Sequence, residues 1–414
     1  MYSNLFLLYI DPGTGSMLFS ILIGIVSTFI FLGQRLFMKL KFVISGGKAD
    51  KLSTTKIPYV IFSDHKRYWN VFKPICDEFE KRETNLVYWT ASPDDPALTQ
   101  EYKYVKAEFI GEGNKAFAKL NMMNAGICIS TTPGLGIYQW KRSKNVDYYV
   151  HIFHSVSDGT GYRMFGLDNY DAILAGGPIV EKELSIINNK RKLAPKEFVI
   201  TGITYMDELK ARLDKATSSS DEKTHTVLLA PSWGPSAILS KYGEQIIPAL
   251  LNTVFNIIIR PHPQSLTSEK EMLDALMKKY PDSEKLSWNF ENDNFNALNK
   301  SSIMISDFSG VIFDYAFVFN KPVIYTEVNF DPSPYDAAWL DDEKWMIRQL
   351  PYIGKQLSIK DFEKMQVVLD ETLSDQNILK NTELIRSQCW TNIGISKETI
   401  TDYLIKKNSN FQTQ

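Results

Sequence analysis

Residues 255–263 read Phe-Asn-Ile-Ile-Ile-Arg-Pro-His-Pro, and residues 303–310 read Ile-Met-Ile-Ser-Asp-Phe-Ser-Gly. In each stretch a short apolar run, typical of a buried strand, is followed at once by polar residues and turn formers. A helical pattern ending at Asn320 comes next, and then another apolar run at Val323–Tyr325. This alternation predicts a parallel sheet with helical crossovers, in which ligands bind at the carboxyl ends of the strands.

The same alternation fills two blocks of the chain, separated by a polar stretch at residues 215–223. We predict an α/β fold with two Rossmann-like domains facing a cleft, an acceptor domain at 57–212 and a donor-binding domain at 224–390, followed by a helix and tail at 391–414. The predicted strands are Pro58–Phe62, Leu86–Thr90, Glu108–Ile110, Gly126–Ser130, Tyr148–Phe153, Ala172–Ala175, Phe198–Ile200, Thr226–Ala230, Phe255–Ile259, Ile303–Ile305 and Val323–Tyr325. The predicted helices include Trp69–Lys81, Ile179–Lys190, Ala237–Thr253, Ser268–Lys279, Val311–Phe319, Asp361–Leu373 and Lys397–Lys406.

The N-terminal segment carries no charged residue from Pro12 to Gln34. Since about 20 apolar residues cross a bilayer, we predict a membrane anchor within residues 1–42, with a helix at about 15–37. The alternatives are a buried helix and a cleaved signal peptide, but the leading charge is Asp11 and no basic leader precedes the apolar run. Basic residues follow the segment, so the positive-inside rule predicts a single pass through the plasma membrane, with the catalytic part in the cytoplasm.

The composition of the chain excludes some classes of function. The chain has 414 residues, of which 44% are hydrophobic and 23% charged, as in an ordinary globular protein. A net charge of −2 gives no reason to expect nucleic acid as a partner. The three cysteines are far apart and form no CxxC pair, which favours unpaired thiols in a reducing compartment. No metal site or bound cofactor is expected, because the chain has neither an HExxH nor a Walker A sequence.

The polar cluster at residues 260–263 suits a phosphate. Arg260 is permanently charged, and its guanidinium can donate two parallel hydrogen bonds to phosphate oxygens. A proline on each side of His262 stiffens the backbone and removes N–H donors, so the imidazole is held at a strand exit. The alternative is a solvated loop that contains an incidental histidine.

The second cluster joins a strand to a helix. Ser309 is placed to cap that helix, and Gly310 lets a ligand approach the backbone, where unpaired N–H groups attract an anion. We expect Asp307 and Asp314 to orient Arg260, bind a sugar hydroxyl or hold Ser309 rather than to touch phosphates. The alternative is a plain helix cap. The predicted donor-binding residues are Ser232, Arg260, His262, Ser306, Asp307, Ser309, Gly310 and Asp314.

The first block contains another histidine at a strand end. Residues 151–161 read His-Ile-Phe-His-Ser-Val-Ser-Asp-Gly-Thr-Gly. Strand alternation places His151 and His154 on opposite faces, and His154, nearer the loop, is expected to face the cleft. A histidine there can take a proton from an attacking hydroxyl, with Asp158 as the candidate to orient it. We therefore predict His154 and His262 as catalytic residues.

A weaker signal follows another predicted strand, where residues 131–136 read Thr-Thr-Pro-Gly-Leu-Gly. The third glycine and the acidic partner of a dinucleotide-binding fingerprint are missing, so that function is not indicated. Thr132 and Gly134 are instead candidates for the acceptor side of the cleft.

Together these motifs resemble the CDP-glycerol glycerophosphotransferase family, the teichoic-acid type of polymerases and primases, which has a GT-B fold. The resemblance covers most of the chain after about residue 120 and is strongest at residues 230–233, 260–263, 306–310, 313–314 and 321–322. It implies that His262, Ser309 and Asp307 bind the donor diphosphate. His154 matches the family's proposed base, although Phe153 precedes it where the family has tryptophan.

The resemblance implies a membrane-anchored transferase. It would move glycerol phosphate, or a related polyol phosphate, from a CDP-linked donor to a membrane-bound glycan or lipid acceptor of the cell envelope. The donor is then a substrate, and no cofactor is needed. Two alternatives stay open: a GT-B glycosyltransferase or epimerase that uses another nucleotide-sugar, and a non-catalytic nucleotide-binding scaffold of envelope assembly.

Overall fold

The computed structural model describes residues 56–216, 225–291, 293–307, 309–327 and 330–412. The predicted membrane anchor at residues 1–42 lies outside these ranges. Among the described residues, no helix is both long and apolar enough to cross a bilayer. The stretch Ile57–Gln414 forms one compact unit, so the two predicted domains can be described together.

A parallel sheet of seven strands forms the first half of this unit. Its strands are mostly apolar and buried, as expected where helices cover both faces. They are β1 (Ile57–Ser63), β2 (Leu86–Thr90), β3 (Val105–Phe109), β4 (Asn124–Ser130), β5 (Asn145–Ile152), β6 (Ala172–Ala175) and β7 (Glu197–Ile200). Their order in the sheet is β3-β2-β1-β4-β5-β6-β7. Val60 of β1 is paired with Val87 on one side and with Cys128 on the other.

The second half repeats this plan with six parallel strands. They are β8 (Thr226–Leu229), β9 (Asn256–Ile259), β10 (Leu286–Trp288), β11 (Ile303–Ser306), β12 (Val323–Thr326) and β13 (Gly354–Leu357). Their order is β10-β9-β8-β11-β12-β13. The predicted α/β class with parallel sheets is confirmed. In both sheets the strand order reverses beside the first strand of the half, and this reversal opens a crevice at the carboxyl ends.

Helices connect the strands and cover the sheets. They are α1 (Trp69–Lys81), α2 (Asn114–Asn121), α3 (Pro178–Arg191), α4 (Thr204–Ala216), α5 (Ile238–Leu251), α6 (Ser265–Ser268), α7 (Lys270–Lys279), α8 (Phe295–Lys300), α9 (Val311–Phe319), α10 (Trp345–Ile353), α11 (Met365–Ser374), α12 (Gln376–Cys389) and α13 (Ser396–Gln412). Helix α1 buries Phe72, Ile75 and Phe79, which share one face at helical spacing. Helix α9 is apolar on all sides except at Asp314, and it is accordingly buried from Ile312 to Phe319.

Two strands were missed by the sequence analysis. Strand β10 has only three residues, and β13 reads Gly-Lys-Gln-Leu. Both lie at the edges of the second sheet. An edge strand has one unpaired side and tolerates polar residues, so neither needs the apolar run by which the other strands were predicted.

The C-terminal helix α13 packs on the first half although it follows the second half in sequence. Its Ile400 and Leu404 are buried in the same core cluster as Ile61 of β1. At the start of α4, the Asp207 carboxylate accepts hydrogen bonds from the Trp390 indole N–H (3.1 Å) and the Ser396 backbone N–H (3.0 Å). The end of the chain therefore ties the two halves together. The predicted domain limits themselves stay predictions.

Candidate active site

A cavity of about 420 Å³ lies between the two halves, at the carboxyl ends of their strands. The loops after β1, β5, β8 and β9 reach it, together with the start of helix α9. Several predicted site residues meet here although they are far apart in sequence. Those that line the cavity are His154, Arg260, His262, Ser309, Gly310 and Asp314.

His262 is half-buried, and one of its ring nitrogens is already engaged. Its Nδ1 accepts a hydrogen bond from the backbone N–H of Gln264 (3.1 Å). The neutral ring must then carry its proton on Nε2, where it can donate to a ligand oxygen. Burial, followed by the nearby charge of Arg67, lowers the pKa of His262, so the ring is neutral at pH 7. This state fits the predicted hydrogen bond to a phosphate.

Arg260 lines the cavity, but its guanidinium already makes hydrogen bonds within the protein. Its guanidinium donates to the Asn289 side-chain oxygen and to the Glu291 carbonyl oxygen (2.7 Å). Burial lowers its pKa, while the acidic groups of Glu291 and Asp293 oppose that shift. Arg260 thus fixes the loop after β10 and adds positive charge beside the cavity. To donate the two predicted hydrogen bonds to a phosphate, Arg260 would have to give up its hydrogen bonds to Asn289 and Glu291.

Ser306 and Asp307 lie behind the cavity wall. The Ser306 hydroxyl donates to the Ala230 carbonyl oxygen (2.6 Å). The buried Asp307 carboxylate accepts from the backbone N–H groups of Ser232 (2.8 Å) and Ile238 (3.0 Å). These bonds brace the loop after β8. Direct donor contact by Asp307 is therefore not supported, because both its oxygens already accept. The cavity lining includes none of Ser232, Ser306 and Asp307.

The start of helix α9 is open toward the cavity. Its N-cap is Gly310 rather than Ser309, and no side chain caps it among the described residues, so the predicted serine cap is wrong. Gly310 and Val311 line the cavity, where the helix N-terminus favours an anion. Asp314, one turn further, is fully buried, and burial raises its pKa to about 7. Its Oδ1 has no hydrogen-bond partner in the described structure.

His154 faces the cavity from the first half, whereas His151 lies in the core, as strand alternation predicted. The rings of His154 and Tyr68 lie 5.0 Å apart. Burial, and then the charge of Arg67, lowers the pKa of His154 to about 4. Its Nδ1 is buried and has no partner among the described residues. A neutral imidazole at this position can accept a proton.

Asp158 does not orient His154. Its carboxylate accepts from the backbone N–H and hydroxyl of Thr160 (2.9 and 2.8 Å) and from the backbone N–H of Met346 (3.2 Å). Met346 belongs to helix α10 of the second half. The predicted role as an orienting residue is therefore wrong, and Asp158 instead fastens the loop after His154 to the other half.

Thr132 and Gly134 are not part of the cavity wall. Gly134 has a φ of +85° and its N–H donates to the Gly166 carbonyl oxygen (2.7 Å). This left-handed turn favours glycine for conformational reasons. The Thr132 carbonyl accepts from the Tyr170 hydroxyl (2.5 Å). Both residues shape a loop next to the cavity, so the predicted acceptor-side contact is not supported.

The sequence analysis missed the loop after β1, which brings Arg67 and Tyr68 to the cavity. The signal was present, because residues 63–68 read Ser-Asp-His-Lys-Arg-Tyr directly after the first predicted strand. It also missed Tyr205 of α4 and Asn294, whose side-chain amide donates to the Tyr205 hydroxyl (3.1 Å). Within the described ranges, no group of three or more His, Cys, Asp or Glu side chains could hold a metal ion.

Residues 163–338 match the family described as CDP-Glycerol:Poly(glycerophosphate) glycerophosphotransferase. The predicted family resemblance is confirmed. This match supports a CDP-glycerol glycerophosphotransferase-like transferase. The matched segment contains the His262 and Ser309 clusters, whereas His154 lies nine residues before it. No curated protein sequence matches the chain.

Solved structures support the fold. The wall teichoic acid polymerase TagF, as a variant soaked with CDPG, has a TM-score of 0.57 and 15% identity, covering 93% of this chain and 99% of its own. The UDP-GlcNAc 2-epimerase from Neisseria meningitidis, bound to UDP-GlcNAc, has a TM-score of 0.52 and 13% identity, covering 85% and 100%. At such identities the similarity concerns the fold alone, and it agrees with the predicted GT-B-like arrangement.

Proposed function

We propose that this glycerophosphotransferase-like chain moves glycerol phosphate, or a related polyol phosphate, from a CDP-linked donor to a cell-envelope glycan or lipid. The acceptor hydroxyl oxygen attacks the phosphorus that carries the polyol. A new O–P bond forms, the O–P bond to CMP breaks, CMP leaves with the bonding electrons, and the hydroxyl proton passes to His154. The observation that carries the proposal is that His154 and His262, from different halves, line one cavity together with the start of helix α9.

The two histidines suit different steps. His154 is neutral at pH 7 because burial lowers its pKa to about 4, so it can accept a proton. A base with so low a pKa is weak, but negative charge from a bound diphosphate would raise it toward neutrality. His262 is set to donate through Nε2, because its Nδ1 accepts from the Gln264 N–H. It would stabilise negative charge on the leaving CMP, together with the helix N-terminus.

The proposed acceptor is membrane-bound, and the uncharged stretch from Pro12 to Gln34 supports anchoring at the plasma membrane, with the catalytic part in the cytoplasm. If this is correct, removing residues 1–42 should move the protein from the membrane fraction to the soluble fraction while binding of CDP-glycerol is retained. A truncated chain that stays in the membrane fraction after a salt wash would contradict the anchor.

Transfer activity is the direct test. The full chain is incubated with radiolabelled CDP-glycerol and membrane lipids, and label in the lipid fraction is measured. We expect His154→Ala and His262→Ala each to lower transfer by roughly 10²–10⁴-fold, the usual contribution of a catalytic acid or base. His225→Ala is the matched control, because this histidine is exposed. Wild-type transfer by the His262→Ala variant would refute its role.

The alternatives predict different outcomes in a thermal-shift comparison of CDP, UDP and GDP compounds. Stabilisation mainly by a CDP compound supports the proposal. Preference for a UDP or GDP compound would instead favour a nucleotide-sugar enzyme. Tight CDP binding without transfer to any acceptor would favour a scaffold.

A further inference from the structure

The loop after β1 brings a cation to the cavity. Arg67 lies in the short 3₁₀ turn Lys66–Tyr68, between β1 and α1. It lines the same cavity as His154 and His262. The neighbouring Lys66 pairs with Asp94, whereas no acidic side chain of the described structure forms an ion pair with Arg67. Asp64 of the same loop is close enough for the charge of Arg67 to oppose the burial that raises the pKa of Asp64. Since the two form no ion pair, the Arg67 guanidinium can still bind an anionic ligand.

Two contacts hold this cation in place. The Arg67 guanidinium lies 5.1 Å from the centre of the Tyr68 ring, and the rings of Tyr68 and His154 lie 5.0 Å apart. The backbone N–H of Arg67 donates to Nδ1 of His65 (3.1 Å), which caps the turn. Tyr68 thus links Arg67 to His154, and the turn places both beside the cavity.

The charge of Arg67 acts on both sides of the cleft. After burial, it is the next cause that lowers the pKa of His154, and the same holds for His262. Glu269 acts on His262 in the opposite direction. Arg67 and both histidines line one cavity, and the histidines belong to different halves, so Arg67 lies beside the space between them. A phosphoryl group held there would meet this guanidinium.

We propose that Arg67 binds the transferred phosphoryl group, across the cleft from the half that holds the nucleotide. This inference rests on the proposed function and adds a substrate-binding residue to it. The guanidinium fork would neutralise phosphoryl oxygens while the acceptor oxygen bonds to phosphorus and the bond to CMP breaks. His262 and the start of helix α9 would then be left to hold the departing CMP.

Binding measurements on the full chain separate the transferred phosphate from the nucleotide phosphate. Calorimetry compares CDP-glycerol with CMP for Arg67→Gln and for Lys66→Gln, the matched control on the same turn. We expect Arg67→Gln to weaken CDP-glycerol binding by roughly 10- to 100-fold, the effect of one hydrogen bond to a charged group, and to leave CMP binding unchanged. Lys66→Gln should change neither. Equal weakening of both ligands, or of neither, would overturn the proposal.

Histidine titration by NMR gives a readout that does not depend on activity. Arg67→Gln should raise the pKa of both His154 and His262, since a nearby positive charge is removed. Arg67→Lys should keep both values low yet restore donor binding only in part, because an ammonium lacks the planar fork. If the wild-type chain binds no CDP-glycerol, the proposed function fails. Unchanged histidine pKa values in Arg67→Gln would instead refute the position assigned to Arg67.

Discussion

The second half of the cleft fixes several polar side chains with hydrogen bonds, whereas the first half presents His154 with a ring nitrogen that has no partner among the described residues. In the second half, Arg260, His262 and Asp307 are each fixed by backbone or amide groups. In the first half, His154 Nδ1 is buried at the cavity and has no partner in the described structure, and the same is true of Thr131 Oγ1, which does not line the cavity. Buried polar atoms are usually satisfied, so unsatisfied ones concentrate where a ligand or water completes the site.

This difference between the two halves indicates which of them binds the donor and which binds the acceptor. A wall whose donors are already oriented needs little reorganisation to bind a constant ligand, such as the diphosphate of a nucleotide. A wall with unsatisfied groups is completed only when another molecule binds. Under the proposed function, the second half is the preformed donor site and the first half is the acceptor site. Asp314 departs from this division, because it lines the cavity from the second half and its Oδ1 also has no partner in the described structure.

The largest effect is expected from breaking the preformed wall at Asp307. Asp307→Ala removes a carboxylate that accepts from the Ser232 and Ile238 N–H groups and leaves both donors unpaired. We expect a loss of about 3–5 kcal/mol in the free energy of unfolding, measured by urea denaturation. The control is Asp341→Ala, because Asp341 is 84% exposed and should cost less than about 1 kcal/mol. If Asp307→Ala lowers the free energy of unfolding no more than Asp341→Ala does, Asp307 does not stabilise the loop after β8.

The next effect concerns Asp314, whose pKa burial raises from 3.8 to about 7. Between these values the folded chain keeps a proton that the unfolded chain has released. Stability should therefore fall as pH rises from about 4 to about 7 and then level off. Asp314→Asn removes this dependence and should raise the free energy of unfolding at pH 8 by about 2–4 kcal/mol.

Urea denaturation of wild type and Asp314→Asn between pH 4 and pH 8 tests this. The two stability curves should converge at the acid end and separate toward neutral pH. Parallel curves would mean that the carboxyl group titrates normally, and that it is paired or hydrated in solution.

The contrast between the two walls also explains what the sequence could predict. Strand ends were predictable, because apolar runs such as residues 255–259 stop abruptly at polar residues. That signal correctly brought His154 and His262 to one cavity. The same signal could not distinguish a residue that lines the cavity from one that lies behind the wall. Ser306 and Ser309 stand only three positions apart in the same motif. Which of them lines the cavity depends on tertiary hydrogen bonds.

Contacts between residues of the two halves could not be predicted from the sequence either. Asp158 stands four residues after His154, which suggested an orienting carboxylate, yet it binds the Met346 N–H from helix α10. Arg67 follows a predicted strand, but only the packing of the two halves brings it to the same cavity as His262. Local spacing predicts which residues are adjacent along one element, but not which residues of two domains meet.

The smallest effects are expected from one buried hydroxyl in each half. Ser306→Ala deletes the bond to the Ala230 carbonyl and should cost about 0.5–1.5 kcal/mol in the free energy of unfolding. Thr131→Val keeps the side-chain shape and removes a buried hydroxyl without a partner, so it should be neutral or stabilise by up to about 1 kcal/mol. Urea denaturation of the two variants in parallel measures the difference in sign. Equal destabilisation would mean that the Thr131 hydroxyl forms a hydrogen bond in solution, for example with water.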